Sequence, residues 1–150
     1  MEEEKVLQRL QRQCARMECC ESAVFNKALK AMEMDREAAA RILASLKKDK
    51  FVDDRRYAGA FAREKSSLQG WGAIKIRFAL AAKGIDEGII KEALEEIDPG
   101  KAEDKLDRIV AEKYRQIKED PEVRLKLLKF ALSRGYSYNE ADSAVKKAMA

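Results

Sequence analysis

The sequence predicts an all-α protein built as three tandem three-helix repeats, and three observations carry that prediction. The first is composition: 150 residues include only two prolines and seven glycines, with 46% apolar and 39% charged residues. So few helix breakers leave long stretches free to be helical, and the excess of charge implies thin cores under much solvated surface. The second is periodicity. Apolar residues recur at helical spacing throughout, and no stretch alternates with period two for long enough to make a strand. The third is self-similarity at 51 residues: "LKAMEMDREAAARIL" (29–43) lies over "LAAKGIDEGIIKEAL" (80–94), and that over "ALSRGYSYNEADSAV" (131–145).

In this register Leu29, Leu80 and Ala131 coincide, as do Met34, Ile85 and Tyr136 in a second apolar column. Asp35, Asp86 and Ser137 share the next column, where a short oxygen-bearing side chain caps a helix start by accepting from an unpaired backbone N–H. Ser137 with Glu140 spells the capping box S-x-x-E. Gly84 and Gly135 stand just before the second apolar column, where a left-handed residue ends the preceding helix. The first copy has Glu33 there, so its turn must be built differently or cost more.

Extended backwards, the register aligns Asp53 with Asp104 as starts of the first helices, with Glu2 in the first-copy slot. Asp98-Pro99-Gly100 reads as a turn, and Asp120-Pro121 as an N-cap followed by proline at the first helical position. Nine helices follow, at about 3–18, 22–33, 36–48, 54–68, 72–83, 87–97, 101–118, 121–134 and 138–149. The repeats are 1–50, 51–100 and 101–150, each helix-turn-helix-like. Units this small lean on their neighbours, so an extended, curved array presenting a long face is expected instead of a deep pocket.

The chemistry available is narrow. The chain has no histidine, which removes the commonest general base and an imidazole metal ligand. Cys14, Cys19 and Cys20 are odd in number and lack C-x-x-C spacing; buried, reduced thiols are expected, with no metal and no cofactor. No P-loop, G-x-S-x-G or H-E-x-x-H sequence is present. Asp53 and Asp54 look like a carboxylate pair, but adjacent helical residues do not face each other. Capping by Asp53 and a dipole interaction by Asp54 explain them, so no catalytic residue is assigned and an enzyme is not expected. Gly70-Trp71-Gly72 follows no strand and lacks a Lys-Ser/Thr pair, so its glycines read as punctuation between helices and not as a phosphate cradle. Tyr57, Phe61, Trp71 and Phe78 are expected in the core of the second repeat, with stacking of Trp71 on a nucleobase as the functional alternative. Tyr136 repeats an apolar core position, whereas Tyr138 is expected at the surface. No apolar run reaches membrane-spanning length, and the acidic start "MEEEKVLQRL" is unlike a signal peptide, so the cytoplasm and no membrane partner are expected.

The net charge of +4 hides an alternation. From Phe51 to Lys83 seven basic residues (Arg55, Arg56, Arg63, Lys65, Lys75, Arg77 and Lys83) stand against three acidic ones. The segment 84–100 is acidic, and 122–150 is basic again through Arg124, Lys126, Lys129, Arg134, Lys146 and Lys147. Cations gathered on a face attract phosphate or an acidic protein surface; the alternative is an ordinary solvated helix face. A monomer is expected.

These blocks resemble the RecX family. "FVDDRRYAGAFAREK" (51–65) is similar to the family's apolar pair, Asp-Asp or Asp-Glu, Arg, aromatic and Ala. "GWGAIKIRFALAAKGID" (70–86) and "KLLKFALSRGYSYNEADSAV" (126–145) resemble its later blocks, and "CARMECCESAVFNKAL" (14–29) matches more loosely, with Ala15 in place of Ser. The resemblance implies a modulator of the RecA recombinase that lies along the RecA–DNA filament and usually restrains ATP hydrolysis, strand exchange and coprotease activity. It implies no activity of its own as an enzyme. Some members also touch single- or double-stranded DNA. The alternative is a free-standing DNA-binding repeat protein with Arg55, Arg56, Arg63, Lys75 and Arg77 on phosphates.

Overall fold

The computed structural model describes residues 2–150, and among them nine α-helices and no strand. These are α1 (Glu3–Arg16), α2 (Glu21–Ala31), α3 (Arg36–Lys48), α4 (Asp54–Ser67), α5 (Ala73–Ala82), α6 (Glu87–Glu95), α7 (Pro99–Ile117), α8 (Val123–Ser133) and α9 (Tyr138–Met149). Backbone packing divides the chain into two compact units. One comprises Met1–Ala60 with Leu80–Ile90, the other Phe61–Ala79 with Lys91–Ala150.

The first unit closes over Val6, Leu10 and Cys14 of α1, which line one side at a spacing of four. They meet Val24, Ala28 and Leu29 of α2 and Ala39, Ile42 and Leu46 of α3. The second unit is built likewise from Leu106 and Val110 of α7, Leu127, Leu128 and Ala131 of α8, and Ala141, Ala144 and Val145 of α9.

The turn before each third helix is the same device three times. The N–H of Met34, Ile85 and Tyr136 donates to the carbonyl of Leu29, Leu80 and Ala131, at 2.8, 3.2 and 3.4 Å. One residue earlier, Glu33, Gly84 and Gly135 donate to Lys30, Ala81 and Leu132. This pair of bonds satisfies the orphan carbonyls of a helix end and requires a left-handed residue. Gly84 and Gly135 supply it at φ 75° and 95°; Glu33 adopts it at φ 55°, with Met34 also left-handed at φ 70°. The first-copy turn therefore keeps the hydrogen bonds without the glycine, at a steric cost of about 1 kcal/mol. Its second left-handed residue turns Met34 outward, 66% exposed, where Ile85 and Tyr136 are buried at 5% and 4%. The apolar column thus holds in two copies and fails in the first.

Asp35 accepts from Ala38 N–H at 3.1 Å, Asp86 from Gly88 N–H at 3.0 Å, and Ser137 from Glu140 N–H at 3.2 Å, with the Glu140 carboxylate returning to Ser137 N–H. Asp53 caps α4 through the N–H groups of Arg55 and Arg56.

The first helices depart from the 51-residue register. Asp104 lies inside α7, whose cap is Asp98 with Pro99 at the first helical position. Asp98-Pro99-Gly100 is thus a helix start, and α7 begins earlier than the repeat predicts. The buried columns of these helices are Leu10, Ala58 and Leu106, then Cys14, Ala62 and Val110, a shorter spacing than 51. Asp120 does not cap α8: its carboxylate accepts from Glu122 N–H at 2.8 Å and forms a turn, and the helix begins at Val123. Phe78 is not in a core; it is 78% exposed, because the buried side of α5 is set by Ile76 and Leu80.

Replacing Glu33 by Gly removes the steric cost but adds chain entropy to the unfolded state. Glu33→Gly should therefore raise stability by about 0.5 kcal/mol, while Gly84→Ala should lower it by about 1 kcal/mol. Thermal unfolding of the two variants should show shifts of opposite sign.

Candidate functional site

The loop between α4 and α5 is fixed by contact with the turn between α8 and α9. Gly72 N–H donates to Arg134 O at 2.7 Å, and Ile74 N–H, an orphan donor of the first turn of α5, donates to Gly135 O at 3.0 Å. The Tyr136 hydroxyl reaches back to Gly70 O at 2.9 Å, and the Arg134 guanidinium donates to Gln69 O at 3.3 Å. Two backbones approach here more closely than side chains permit. A Cβ on Gly72 would lie 2.4 Å from Gly135 O, and one on Gly135 would lie 2.3 Å from Lys75 Cβ. Gly70 is left-handed at φ 68°. These glycines do more than punctuate, because they form the contact itself.

That contact sets Trp71 on the surface, half-buried. Its own N–H donates to Lys65 O at 2.8 Å, and Phe61 meets the indole edge-on, centroids 6.1 Å apart. The Lys75 and Lys65 ammonium groups stand 4.3 and 4.9 Å from the Trp71 ring centre. Beside it, Phe130 carries Arg134 at 5.2 Å and Lys113 at 5.6 Å. Each exposed cation–π contact contributes about 0.5–1 kcal/mol and leaves the ammonium free to donate. None of these four cations forms an ion pair among the described residues, and no carboxylate occurs in the sequence between Lys65 and Ile85. Cations that rest on aromatic rings outside any ion pair are of a kind that a polyanion attracts.

The other predicted cations are placed differently. Arg56 is held by Glu18 at 2.8 Å and by the carbonyls of Lys50 and Phe51. Arg63 pairs with Glu96 at 3.3 Å, Lys146 with Asp142 at 3.0 Å, and Lys126 with Asp120. Lys147 joins Glu103 and Asp107 at 2.8 and 3.0 Å, and these hydrogen bonds push its pKa up to about 12. Such exposed pairs add little to stability, because water and salt screen them. Arg55, Arg77, Lys83 and Lys129 are exposed. Of the twelve, the structure gathers Lys65, Lys75 and Arg134. It adds Lys113, Phe61 and Phe130, and Lys113 lies in the mixed-charge α7, where a charge-run reading gives no signal.

The Asp53–Asp54 pair is committed to backbone N–H groups. The Asp54 carboxylate accepts from Glu21 N–H at 2.8 Å and so caps α2, whose own N-cap residue, Cys20, gives no side-chain bond. Burial pushes Asp54 above the usual carboxylate range despite that bond. All three cysteines are free and buried, and burial raises the Cys14 thiol, with Cys19 adding to the effect. No cluster of three metal-ligating side chains occurs among the described residues, and no helix there is long and apolar enough to cross a membrane.

The fold and this surface define a class: an all-α protein of successive three-helix sets that presents un-neutralised cations on aromatic rings. Comparison with known proteins narrows it. A family model described as RecX, second three-helix domain, matches residues 53–94. Regulatory protein RecX of Clostridium tetani is 32% identical over 131 residues, covering 85% of this chain and 59% of that protein. The Streptococcus gordonii protein of the same name is 32% identical over 108 residues, covering 72% and 42%. A crystal structure of RecX from Lactobacillus salivarius superposes with a TM-score of 0.84 at 19% identity, covering 98% of this chain and 96% of that one, a likeness of fold. The chain belongs to the RecX family of regulatory proteins. It spans little more than half the length of the Clostridium relatives it matches, 59% and 55%.

Gly72→Ala should cost about 3 kcal/mol, because the blocking atom is backbone and cannot move aside. Burial pushes the Tyr136 hydroxyl up to about 12, above its ordinary value of 10. The folded state therefore keeps this proton while the unfolded chain loses it. Its contribution is fully present below pH 10 and is lost as pH rises from about 10 to about 12. Tyr136→Phe should lower stability at neutral pH by about 1 kcal/mol and flatten that alkaline decline. Denaturant unfolding at pH 7 and across the alkaline range measures both effects.

Proposed function

We propose that this chain regulates the RecA recombinase by binding the RecA–DNA filament and restraining its ATPase, strand-exchange and coprotease activities. It acts by binding and not by catalysis, as a cytoplasmic monomer with no cofactor. The observation that carries the reading is the Lys65–Trp71–Lys75 platform with Arg134, a polyanion surface without counter-charge, in a RecX-family chain. The repeats 1–50, 51–100 and 101–150 act as successive contact modules, so that several weak contacts along the filament add to a firm hold. Arg55, Arg63, Arg77, Lys83, Lys126, Lys129 and Lys146 supply peripheral attraction; Arg56 and Lys147 serve mainly to fix their own helices.

Titrated into RecA on single-stranded DNA, the purified chain should slow DNA-dependent ATP hydrolysis at near-stoichiometric amounts. An unchanged ATPase and unchanged strand exchange across a wide titration would sink the proposal.

The same platform favours a second reading, direct DNA binding without RecA. Four cations on phosphates give a log–log salt slope of about −3 for a single strand. Fluorescence anisotropy of a labelled oligonucleotide at several salt concentrations measures it; no binding at low salt counts against this reading.

A further inference from the structure

Ser66 is the one polar residue buried among the described residues, 8% exposed, and its hydroxyl has no hydrogen-bond partner there. It lines a cleft of about 440 Å³ between the end of α4 and the first half of α7. The charged walls of that cleft divide by commitment. Arg63 pairs with Glu96 at 3.3 Å, and the Asp98 carboxylate accepts from the N–H groups of Gly100 and Lys101. Lys101, Lys105 and Arg108 remain, and none of their side chains forms an ion pair among the described residues. Spaced i, i+4 and i+7, they share one side of α7. Asp104 is the single carboxylate of the cleft committed to no other group there.

Three cations against one carboxylate, beside a hydroxyl with its donor unused, make a seat for an anion with several oxygens. The cleft has no aromatic wall, so a nucleobase finds nothing in it to stack on. The rings stand next to it. Lys65, the residue before Ser66, rests on Trp71, and the Lys105 stem packs at Gly70, where an added Cβ would lie 3.4 Å from Lys105 Cε. Adjacent surfaces thus suit the phosphate and the base of one strand, a pairing that a protein carboxylate does not call for.

We propose that this cleft seats a backbone phosphate of a DNA single strand, one of whose bases rests on Trp71. The Ser66 hydroxyl donates to a phosphate oxygen, Lys101, Lys105 and Arg108 balance its charge, and Asp104 holds the affinity down. The site deepens the DNA contact described above and rests on it. Its three cations lie outside both basic segments of the sequence.

The test compares the full chain with Ser66→Ala, with Asp104→Asn, and with a triple variant, Lys101→Gln, Lys105→Gln, Arg108→Gln. Each change removes a side chain that holds no partner, so unfolding temperatures should stay near wild type. By anisotropy of a labelled single-stranded oligonucleotide, the triple variant should bind roughly tenfold more weakly and lose about 0.7 from the magnitude of the salt slope. Ser66→Ala should weaken binding about threefold at an unchanged slope, and Asp104→Asn should tighten it. Trp71 emission at saturating oligonucleotide should change in the triple variant as in the wild type, because the platform is untouched. Wild-type affinity and slope in the triple variant overturn the proposal and leave the platform reading standing. So does a triple variant that loses RecA inhibition but keeps its DNA affinity, which would make the cleft a protein contact. A second arm adds inorganic phosphate alone and follows the amide resonances of Ser66 and Lys101 against matched chloride. If the wild type ignores the oligonucleotide while phosphate shifts these amides, and the triple variant shows no shift, the DNA reading fails and the anion seat stands. Silence in both arms removes both.

Discussion

The contact between two glycine backbones, Gly72 and Gly135, is the constraint on which the second compact unit depends. It lets a loop that begins α5 donate two N–H groups to the turn that ends α8, at 2.7 and 3.0 Å. Any side chain at either position would separate the two segments. With them would go the Tyr136–Gly70 hydrogen bond and the seat of Trp71. Hydrogen bonds to backbone carbonyls are individually modest, but a buried acceptor left without its donor costs more than the bond is worth. The contact is therefore all-or-none, and it links architecture to surface chemistry directly. The same residues that join the segments hold Lys65, Lys75 and Arg134 around two aromatic rings.

The cations divide by what surrounds them. Where a carboxylate lies within reach, the charge serves the fold: Arg56 ties α4 to the loop between α1 and α2, and Lys147 ties α9 to α7. In the stretch from Lys65 to Ile85, which lacks carboxylates, Lys65 and Lys75 rest on the Trp71 ring and keep their donors available. Rings hold a cation weakly and without geometric demand, so an incoming anion displaces little. A salt-bridged Arg would have to surrender its partner first. This difference separates residues that are only basic from residues poised to bind.

What the sequence made legible was local. Helix count, caps and the turn before each third helix depend on residues within a few positions, and the Asp35, Asp86 and Ser137 column states them openly. Contacts between distant segments left weaker marks. Gly72 and Gly135 each look like loop glycines, because nothing local reveals that they touch. The register of the first helices also slipped: Asp104 repeats Asp53 in sequence, yet Asp98-Pro99 offers a better start and α7 takes it. Phe78 was hidden by its residue type, since an aromatic on a short helix reads as core until the opposite side is known to be filled. Lys113 and Phe130 carry no signal until α7 and α8 are packed together.

Trp71 is the only tryptophan in the chain, so its fluorescence reports the platform without labelling. Titration of a single-stranded oligonucleotide at low salt should produce a saturable change in Trp71 emission. The change should reverse with added salt and be lost in Lys65→Gln, Lys75→Gln. An emission spectrum indifferent to the oligonucleotide, or one that responds equally in the double variant, would contradict the assignment of this surface as the polyanion contact.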